Sequence, residues 1–372
     1  MMIEADETKI GAAVRDADLR VLVMCLFQIT GDHKWLSEPY LPQRDIRLIA
    51  PEDAGFSDEI AEQIWEAAIA EHGTTPVISD PGDELMVEMM SACLGEFVTP
   101  EYAPMMREEM GFVSRDIDWP EGAARPSVLV VGAGASGIIM GARLDRMGLD
   151  YDIVERGASV GGVWRDNRYP GAGVDTPNHA YSFSFARPHR WSRFFSPQAD
   201  LEAYLQQTAD DCDVTRHVQF ETGLTGAQWD DDAQEWRVEL ETLNGSESRS
   251  YQVLISAIGQ LNVPKPPPVP GTDSFEGPCF HSSHWPDGLD LTGKRVAVIG
   301  TGASSMQIVP AIADQVAELT VYQRTAQWAR PIPRYHEPIP EGSQWLFEHL
   351  PFYAAWFRFV MLWRYGDGLL PL

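Results

Sequence analysis

The segment that decides the fold is Gly132-Ala-Gly134-Ala-Ser136-Gly137. Ahead of it, Ser127-Val-Leu-Val-Val131 is a short, β-branched apolar run, which predicts a buried parallel strand. Residues from Ile138 to Met147 predict a helix, and Tyr151-Asp-Ile-Val154 predicts a second strand that leads into Glu155. Together these segments predict a complete βαβ unit, with an acidic residue eighteen positions after the last glycine of the turn.

Each glycine of this turn has a physical role in binding a dinucleotide. Gly132 permits the tight turn, Gly134 lets the backbone approach a pyrophosphate, and Gly137 lets the helix pack closely on the strand. The helix N-terminus then faces the phosphates with N–H groups and a positive dipole end. Glu155 is expected to accept hydrogen bonds from ribose hydroxyls. The glycines alone also suit an ordinary turn, but the flanking strands, helix and acid favour nucleotide binding.

Composition narrows the class of protein. The 372 residues give room for two or three domains, and the net charge of −27 argues against nucleic acid or an anionic membrane as partner. The four cysteines show no metal-ligand spacing, so we predict no metal site and no disulfide framework: Cys25, Cys93, Cys212 and Cys279. They indicate a reducing, cytoplasmic location. The polar, acidic first residues predict no signal peptide.

Residues 1–120 are predicted to form a helical extension without a nucleotide motif or a catalytic constellation. Apolar residues recur at helical spacing within 16–30, after the N-cap candidate Ser57, and in the methionine-rich stretch 83–97. We interpret this extension as a packing or oligomerisation module, through which a homodimer would form. A linker is expected over 114–126, where proline and glycine recur.

A glycine-rich loop, residues 161–175, follows the first nucleotide motif and could close over a ring system beside a dinucleotide. It ends in Asp175, which by itself suits a turn aspartate equally well. The Cys-x4-Cys of flavin disulfide reductases is absent, which excludes that redox chemistry. Several short strands are predicted over 217–256, and the proline-rich stretch 264–271 suits a domain crossover.

A second nucleotide motif lies further along the chain. The strand Arg295-Val-Ala-Val-Ile299 leads into Gly300-Thr-Gly302-Ala-Ser-Ser305, and the helix that follows is predicted from Met306 to Ala317, with Pro310 in its first turns or kinking it. The next strand ends beside Arg324 rather than an acid. An arginine there is suited to a 2′-phosphate and predicts NADP, although an exposed arginine can also be a solvated surface residue.

Two dinucleotide motifs in one chain imply two cofactors with electron transfer between them. The segment between the motifs, 275–287, contains His281 near Trp285. From the residues alone, this segment is predicted only to be a hinge between two nucleotide domains.

The same segment carries a family resemblance. The pattern Phe-x-Gly-x3-His-x3-Trp-Pro, which runs from Phe275 to Pro286, resembles the fingerprint of type I Baeyer–Villiger monooxygenases. Related flavin-containing and N-hydroxylating monooxygenases share the twin nucleotide folds, but their fingerprint lacks the Trp-Pro ending. Segments within 26–32, 45–48 and 102–109 are similar to the extension of monooxygenases of the 4-hydroxyacetophenone type.

The resemblance implies roles for particular residues. FAD would be held by Gly132, Gly134, Ser136, Gly137, Glu155, Val163, Trp164, Asp175, Tyr181 and Leu224. NADPH would be held by Gly300, Thr301, Gly302, Ser304, Ser305, Arg324 and Thr325. The residues implied in catalysis are Asp175, which pairs with an active-site arginine in the family, and the hinge residues His281 and Trp285.

The resemblance also implies an activity. In the family, NADPH reduces FAD, and O2 then forms a C4a-peroxyflavin that attacks a ketone carbonyl, so that migration gives an ester or lactone. The N-terminal similarity suggests an aryl ketone as substrate. The implied fold class is α/β, with Rossmann-like domains for FAD at 126–271 and for NADP at 272–372, preceded by the helical extension.

One departure leaves alternatives open. The family's active-site arginine lies in a Lys-Arg motif downstream of the second nucleotide unit, and no such pair follows that unit here. An N- or S-oxidising flavin monooxygenase would not need that arginine. An inactive or uncoupled nucleotide-binding fragment is the other alternative. The aromatic stretch 345–363 is expected to be a buried helix whose partners lie outside these 372 residues.

Overall fold

The computed structural model describes residues 7–45, 47, 51–186, 189–265, 269–329 and 331–366. Residues 266–268 of the predicted crossover, and Ile46 and Leu48 of the similar N-terminal segments, lie outside that range. The chain divides into two compact units. The helical unit comprises 1–116, 175–195 and 331–372, and the nucleotide unit comprises 117–174 and 196–330. The predicted domain boundaries at 120 and 271 stay predictions.

The helices within the described residues are α1 (Glu7–Arg15), α2 (Leu19–Thr30), α3 (Asp58–Ala70), α4 (Gly82–Leu94), α5 (Ala103–Glu109), α6 (Ala135–Arg146), α7 (Val163–Asp166), α8 (Gln198–Asp211), α9 (Ala303–Ile312), α10 (Glu341–His349) and α11 (Tyr353–Tyr365). The strands are β1 (Val128–Val131), β2 (Tyr151–Val154), β3 (Val218–Gln219), β4 (Gly223–Asp230), β5 (Glu235–Thr242), β6 (Gly245–Tyr251), β7 (Val253–Ser256), β8 (Arg295–Ile299) and β9 (Glu318–Tyr322).

Helix α2 is the centre of the helical unit, because nearly all of its side chains are buried. It begins where the Asp18 carboxylate accepts backbone N–H bonds of the first turn, and it ends at Gly31, whose φ of 68° is left-handed. This confirms the helix predicted within 16–30. Three fully buried methionines of α4 belong to the same unit's core: Met86, Met89 and Met90.

Helix α11 is buried against α2 and α5 of the same unit. The indole N–H of Trp356 donates to Gln28 Oε1 at 2.7 Å, and the Tyr353 hydroxyl accepts the backbone N–H of Asp18 at 2.9 Å. The expectation of a single helix over 345–363 is wrong, because the stretch is divided between α10 and α11. The expectation that its partners lie outside the 372 residues is also wrong, because α11 packs on α2 and α5. None of the helices in the described part of the chain has the length and apolarity needed to cross a membrane.

His179, in the helical unit, sits among the aromatic side chains of Phe347 and Phe357, with ring centroids 4.4 and 5.0 Å away. The Nδ1 atom is buried and has no hydrogen-bond partner among the described residues. Burial, together with the charge of nearby Arg358, lowers the pKa of His179 to about 3.

This depressed pKa predicts acid sensitivity. Between the ordinary histidine pKa of about 6.5 and the folded value, the unfolded chain binds a proton that the folded chain does not, so stability falls as the pH falls through that window. The loss approaches about 1.4 kcal/mol per pH unit from this group. Urea unfolding of the wild-type chain and of His179→Phe at several pH values measures it. Parallel pH curves for the two proteins would contradict the assignment.

The nucleotide unit is built on a parallel sheet of order β3-β2-β1-β7. The strands predicted at 127–131 and 151–154 are confirmed as β1 and β2, and the α/β class is confirmed with them. An antiparallel sheet, β4-β5-β6, contributes Val238 and Leu240 to the core around Leu129. A separate parallel pair, β8-β9, carries the second motif.

Helix α9 begins three residues earlier than predicted, at Ala303, and ends at Ile312. Pro310 therefore falls near the C-terminal end of the helix, so its predicted place in the first turns is wrong. The physical reason is that Gly302 acts as the N-cap, so the glycine turn passes directly into the helix. This start places the first-turn amides of α9 beside the second motif.

Candidate nucleotide-binding site

The first glycine turn connects β1 to α6 and depends on the absence of side chains. Gly132 has φ +104°, and a Cβ there would lie 2.6 Å from the Ala257 carbonyl oxygen. A Cβ at Gly137 would lie 2.0 Å from the Gly132 carbonyl oxygen. Gly134 is the N-cap of α6 and supplies no side-chain cap, which suits first-turn amides that bind an anion. Ser136 is exposed within that first turn.

The loop that starts at Gly161 lies directly against this turn. The N–H of Gly161 donates to the Ala133 carbonyl at 3.0 Å, and a Cβ at Gly162 would lie 3.0 Å from the Gly134 Cα. The two segments therefore approach backbone to backbone. A cradle that side chains would fill fits the pyrophosphate of a dinucleotide such as FAD.

Glu155 is buried at the end of β2 and braces the same turn. Its Oε2 accepts the N–H of Ala133 at 2.9 Å, and its Oε1 accepts the N–H of Gly157 at 2.7 Å and Arg165 Nη1–H at 3.0 Å. Turn and acid are adjacent because β1 and β2 are parallel neighbours, with the Gly132 N–H donating to the Val154 carbonyl. The ribose-binding role of Glu155 stays a prediction.

Arg165 is a partner of Glu155 that the sequence did not predict. Its guanidinium is buried, and besides Glu155 it binds Asp166 at 2.7 Å and the Ser159 carbonyl at 2.6 Å. An arginine inside a glycine-rich loop that follows a strand-end acid was the available signal. That signal alone assigns the arginine no role, because the sequence does not show that the loop folds back onto Glu155.

The other residues assigned to FAD are spread over both units. Val163 and Trp164 form the start of α7 and are half-buried in the nucleotide unit, and Leu224 lies on β4. Asp175 and Tyr181 are exposed and belong to the helical unit. The structure thus brings the first turn, Glu155 and α7 together, and the roles of Asp175 and Tyr181 stay predictions.

The second glycine turn is more open than the first. Gly300 has φ +108°, and its N–H donates to the Tyr322 carbonyl at 2.9 Å. Among the described residues, apart from the adjacent residues of the chain, no atom lies within 4 Å of a Cβ built at Gly300 or Gly302. Ser304 is half-buried and Ser305 is buried in the first turn of α9.

Arg324 and Thr325 follow β9 at the same end of the parallel pair as this turn. Both are exposed, and the Thr301 hydroxyl donates to the Thr325 carbonyl at 3.4 Å. The structure therefore brings the second turn and the exposed arginine together, as a 2′-phosphate site requires. Residues at this turn fit NADP.

The segment between the motifs forms short turns at the surface. His281 is exposed, and its Nδ1 accepts the N–H of Ser283 at 3.2 Å. Trp285 is half-buried and meets Phe280 edge-on, with ring centroids 5.2 Å apart. The role of His281 and Trp285 in coupling the two cofactors stays a prediction.

The fold and these turns define an α/β protein with two glycine turns of the dinucleotide-binding kind, each at the carboxyl end of parallel strands. A family profile described as Flavin-binding monooxygenase-like matches residues 125–335. That match covers more than half of the chain. The chain therefore belongs to the flavin-binding monooxygenase-like family.

Two curated relatives illustrate the similarity. An uncharacterized monooxygenase, y4iD, of Sinorhizobium fredii is 37% identical over an alignment of 370 residues that covers 96% of this chain and 55% of that protein. A Baeyer-Villiger monooxygenase of Streptomyces coelicolor is 44% identical over 225 residues, which are 60% of this chain and 42% of that protein. The chain thus spans about half the length of the curated relatives it matches.

A solved structure with the same fold is that of OTEMO in complex with FAD and NADP. It superposes with a TM-score of 0.57 at 36% identity and covers 62% of this chain and 44% of that one. The family relationship seen in the sequence is therefore also seen in the fold of the superposed part of the chain.

Proposed function

We propose that this chain binds FAD at the first glycine turn and NADPH at the second, and that it serves a monooxygenase that inserts one oxygen atom of O2 into a ketone. The observation that carries the proposal is the pairing of a cradle lined by Gly132, Gly134 and Gly137 with an open turn beside Arg324. The names of the relatives and the fingerprint from Phe275 to Pro286 support the Baeyer–Villiger class.

Within this proposal, the residues of the chain bind and orient. The first turn and the amides of α6 would hold the pyrophosphate, while Glu155, which accepts the Ala133 N–H, would hold the turn in place and bind the ribose hydroxyls. The second turn and Arg324 hold the nucleotide that carries a 2′-phosphate. The bound flavin supplies oxygen activation and the nicotinamide supplies the hydride, and the protein contributes position and exclusion of water.

The substrate we propose is an aryl ketone, in a cytoplasmic setting. The support is the similarity of segments in the first 120 residues to the extension of monooxygenases of the 4-hydroxyacetophenone type. The relative y4iD, which aligns over 96% of this chain, shares that region.

The test is NADPH consumption by the FAD-reconstituted 372-residue chain, with and without 4-hydroxyacetophenone, with ester and peroxide assayed in parallel. Ester formed in step with NADPH is the expected result. Peroxide without ester would contradict oxygenation by this chain. No flavin uptake would contradict the assignment of the first turn.

Cofactor choice gives a second test. We expect Arg324→Ala to weaken NADP+ binding by about 10- to 100-fold, because a charge-assisted hydrogen bond to phosphate contributes about 1.5–3 kcal/mol. NAD+ binding should stay unchanged, since it has no 2′-phosphate. Arg295→Ala is the matched control, because Arg295 is also exposed but lies at the opposite end of β8. Equal losses for both nucleotides in isothermal titration would contradict the assignment.

A further inference from the structure

The loop from Gly161 to Gly173 connects the two glycine turns inside the nucleotide unit. Its first residues are bonded to the first turn through the Gly161 N–H and the Ala133 carbonyl. Its middle is fixed by Arg165, which binds the strand-end acid Glu155. Any displacement of the first turn therefore reaches this loop through backbone and buried side-chain contacts.

The far end of the loop is fixed to α9, the helix of the second turn. The Tyr169 hydroxyl donates to Gln307 Oε1 at 2.9 Å, and Gln307 Nε2–H donates to the Gly173 carbonyl at 2.8 Å. Gly171 also lies against the helix, since a Cβ there would be 2.5 Å from the Gln307 carbonyl oxygen. Both ends of the Gln307 amide are thus engaged, and the side chain is half-buried.

Gln307 lies on α9, the helix whose N-cap is Gly302. It is two residues beyond Ser305, the last residue of the second turn. A helix moves as a rigid element, so a change at its N-terminal end is carried to Gln307. The contacts form a continuous physical connection between the two turns, made of the loop, the Gln307 amide and α9.

We propose that Tyr169 and Gln307 are positioning residues that couple the two nucleotide sites, so that FAD at the first turn sets the affinity for NADP+ at the second. This inference rests on the proposed function, because it assumes that each turn binds its nucleotide. Coupling of this kind is reciprocal and typically changes affinity by about 5- to 150-fold.

The experiment measures NADP+ affinity of the 372-residue chain by isothermal titration, with and without saturating FAD. In the wild type we expect FAD to change the NADP+ dissociation constant at least about fivefold. In Gln307→Met and in Tyr169→Phe we expect that dependence to fall to within about twofold, while each nucleotide alone binds as in the wild type. The Gln307→Met, Tyr169→Phe double variant should lose no more coupling than Gln307→Met alone.

The control is Gln315→Met, because Gln315 is an exposed glutamine just after α9 whose side chain donates to the Ala311 carbonyl of its own segment. It should keep the wild-type coupling. If the hydrogen bonds of Gln307 with Tyr169 and Gly173 were purely structural, Gln307→Met would lower the thermal midpoint but leave the coupling intact. That result would overturn the proposal. A wild type that binds both nucleotides without coupling would also overturn it. Failure of either nucleotide to bind the wild type would overturn the proposed function and this inference together.

Discussion

Gly137→Ala is expected to weaken FAD binding by about 100-fold or more and to lower the free energy of unfolding by about 3 kcal/mol. The new Cβ would lie 2.0 Å from the Gly132 carbonyl oxygen, and that oxygen is backbone in a turn that cannot rotate away. Gly132 is itself held between the Val154 carbonyl, which its N–H binds, and Ala257 at the end of β7. Relief of the clash therefore requires α6 to move off the turn.

FAD binding requires the native position of the turn and α6. If restoring that position costs about 3 kcal/mol of free energy, FAD affinity falls by about 100-fold or more. Flavin fluorescence on titration measures this loss, and urea unfolding measures the stability. The matched control is Gly302→Ala in the second turn, where, apart from the adjacent residues, the described part of the chain places no atom within 4 Å of the added Cβ. The control should keep wild-type FAD binding and stability. Equal effects of the two substitutions would show that the first turn is not packed as described.

Trp356→Ala is expected to cost about 4 kcal/mol of stability in the helical unit. The indole is fully buried in α11, and its N–H is bonded to Gln28 Oε1 on α2. Truncation leaves a cavity and also leaves the fully buried Gln28 amide without that donor. Both effects destabilise the packing of α11 on α2.

Trp328→Ala is the control for this substitution, because the Trp328 side chain is 100% exposed. It should change the urea midpoint by an amount equivalent to no more than about 0.5 kcal/mol. Circular dichroism during urea unfolding compares the two variants. If Trp356→Ala were as mild as Trp328→Ala, α11 would not be part of the unit's core.

The two turns differ although their sequences are alike. The first turn lies at the end of β1, which has parallel partners on both sides, and the end of β7 closes over Gly132. The second turn follows β8, which pairs with β9. In the first turn the glycines are therefore required because a Cβ would clash with neighbouring atoms. In the second turn glycine is required mainly for the positive φ of Gly300.

Sequence by itself was sufficient for β1, β2, β8, α2 and both glycine turns. These are local features, since a β-branched run, helical periodicity and a glycine turn are each specified by neighbouring residues. The predicted βαβ unit also put Glu155 at the end of its second strand, and β1 and β2 are parallel neighbours that end at the same edge of the sheet.

Only the tertiary structure revealed the ion pair of Arg165 with Glu155, the hydrogen bond between Tyr169 and Gln307, and the burial of α11 against α2. Tyr169 and Gln307 are 138 residues apart, and Trp356 and Gln28 are 328 apart. A hydrogen bond between such residues depends on how whole elements pack, and no local pattern of charge or hydrophobicity specifies which elements meet. The local sequence determined the two glycine turns that are suited to a phosphate. Long-range packing decided which side chains hold those turns in position and which contacts link one turn to the other.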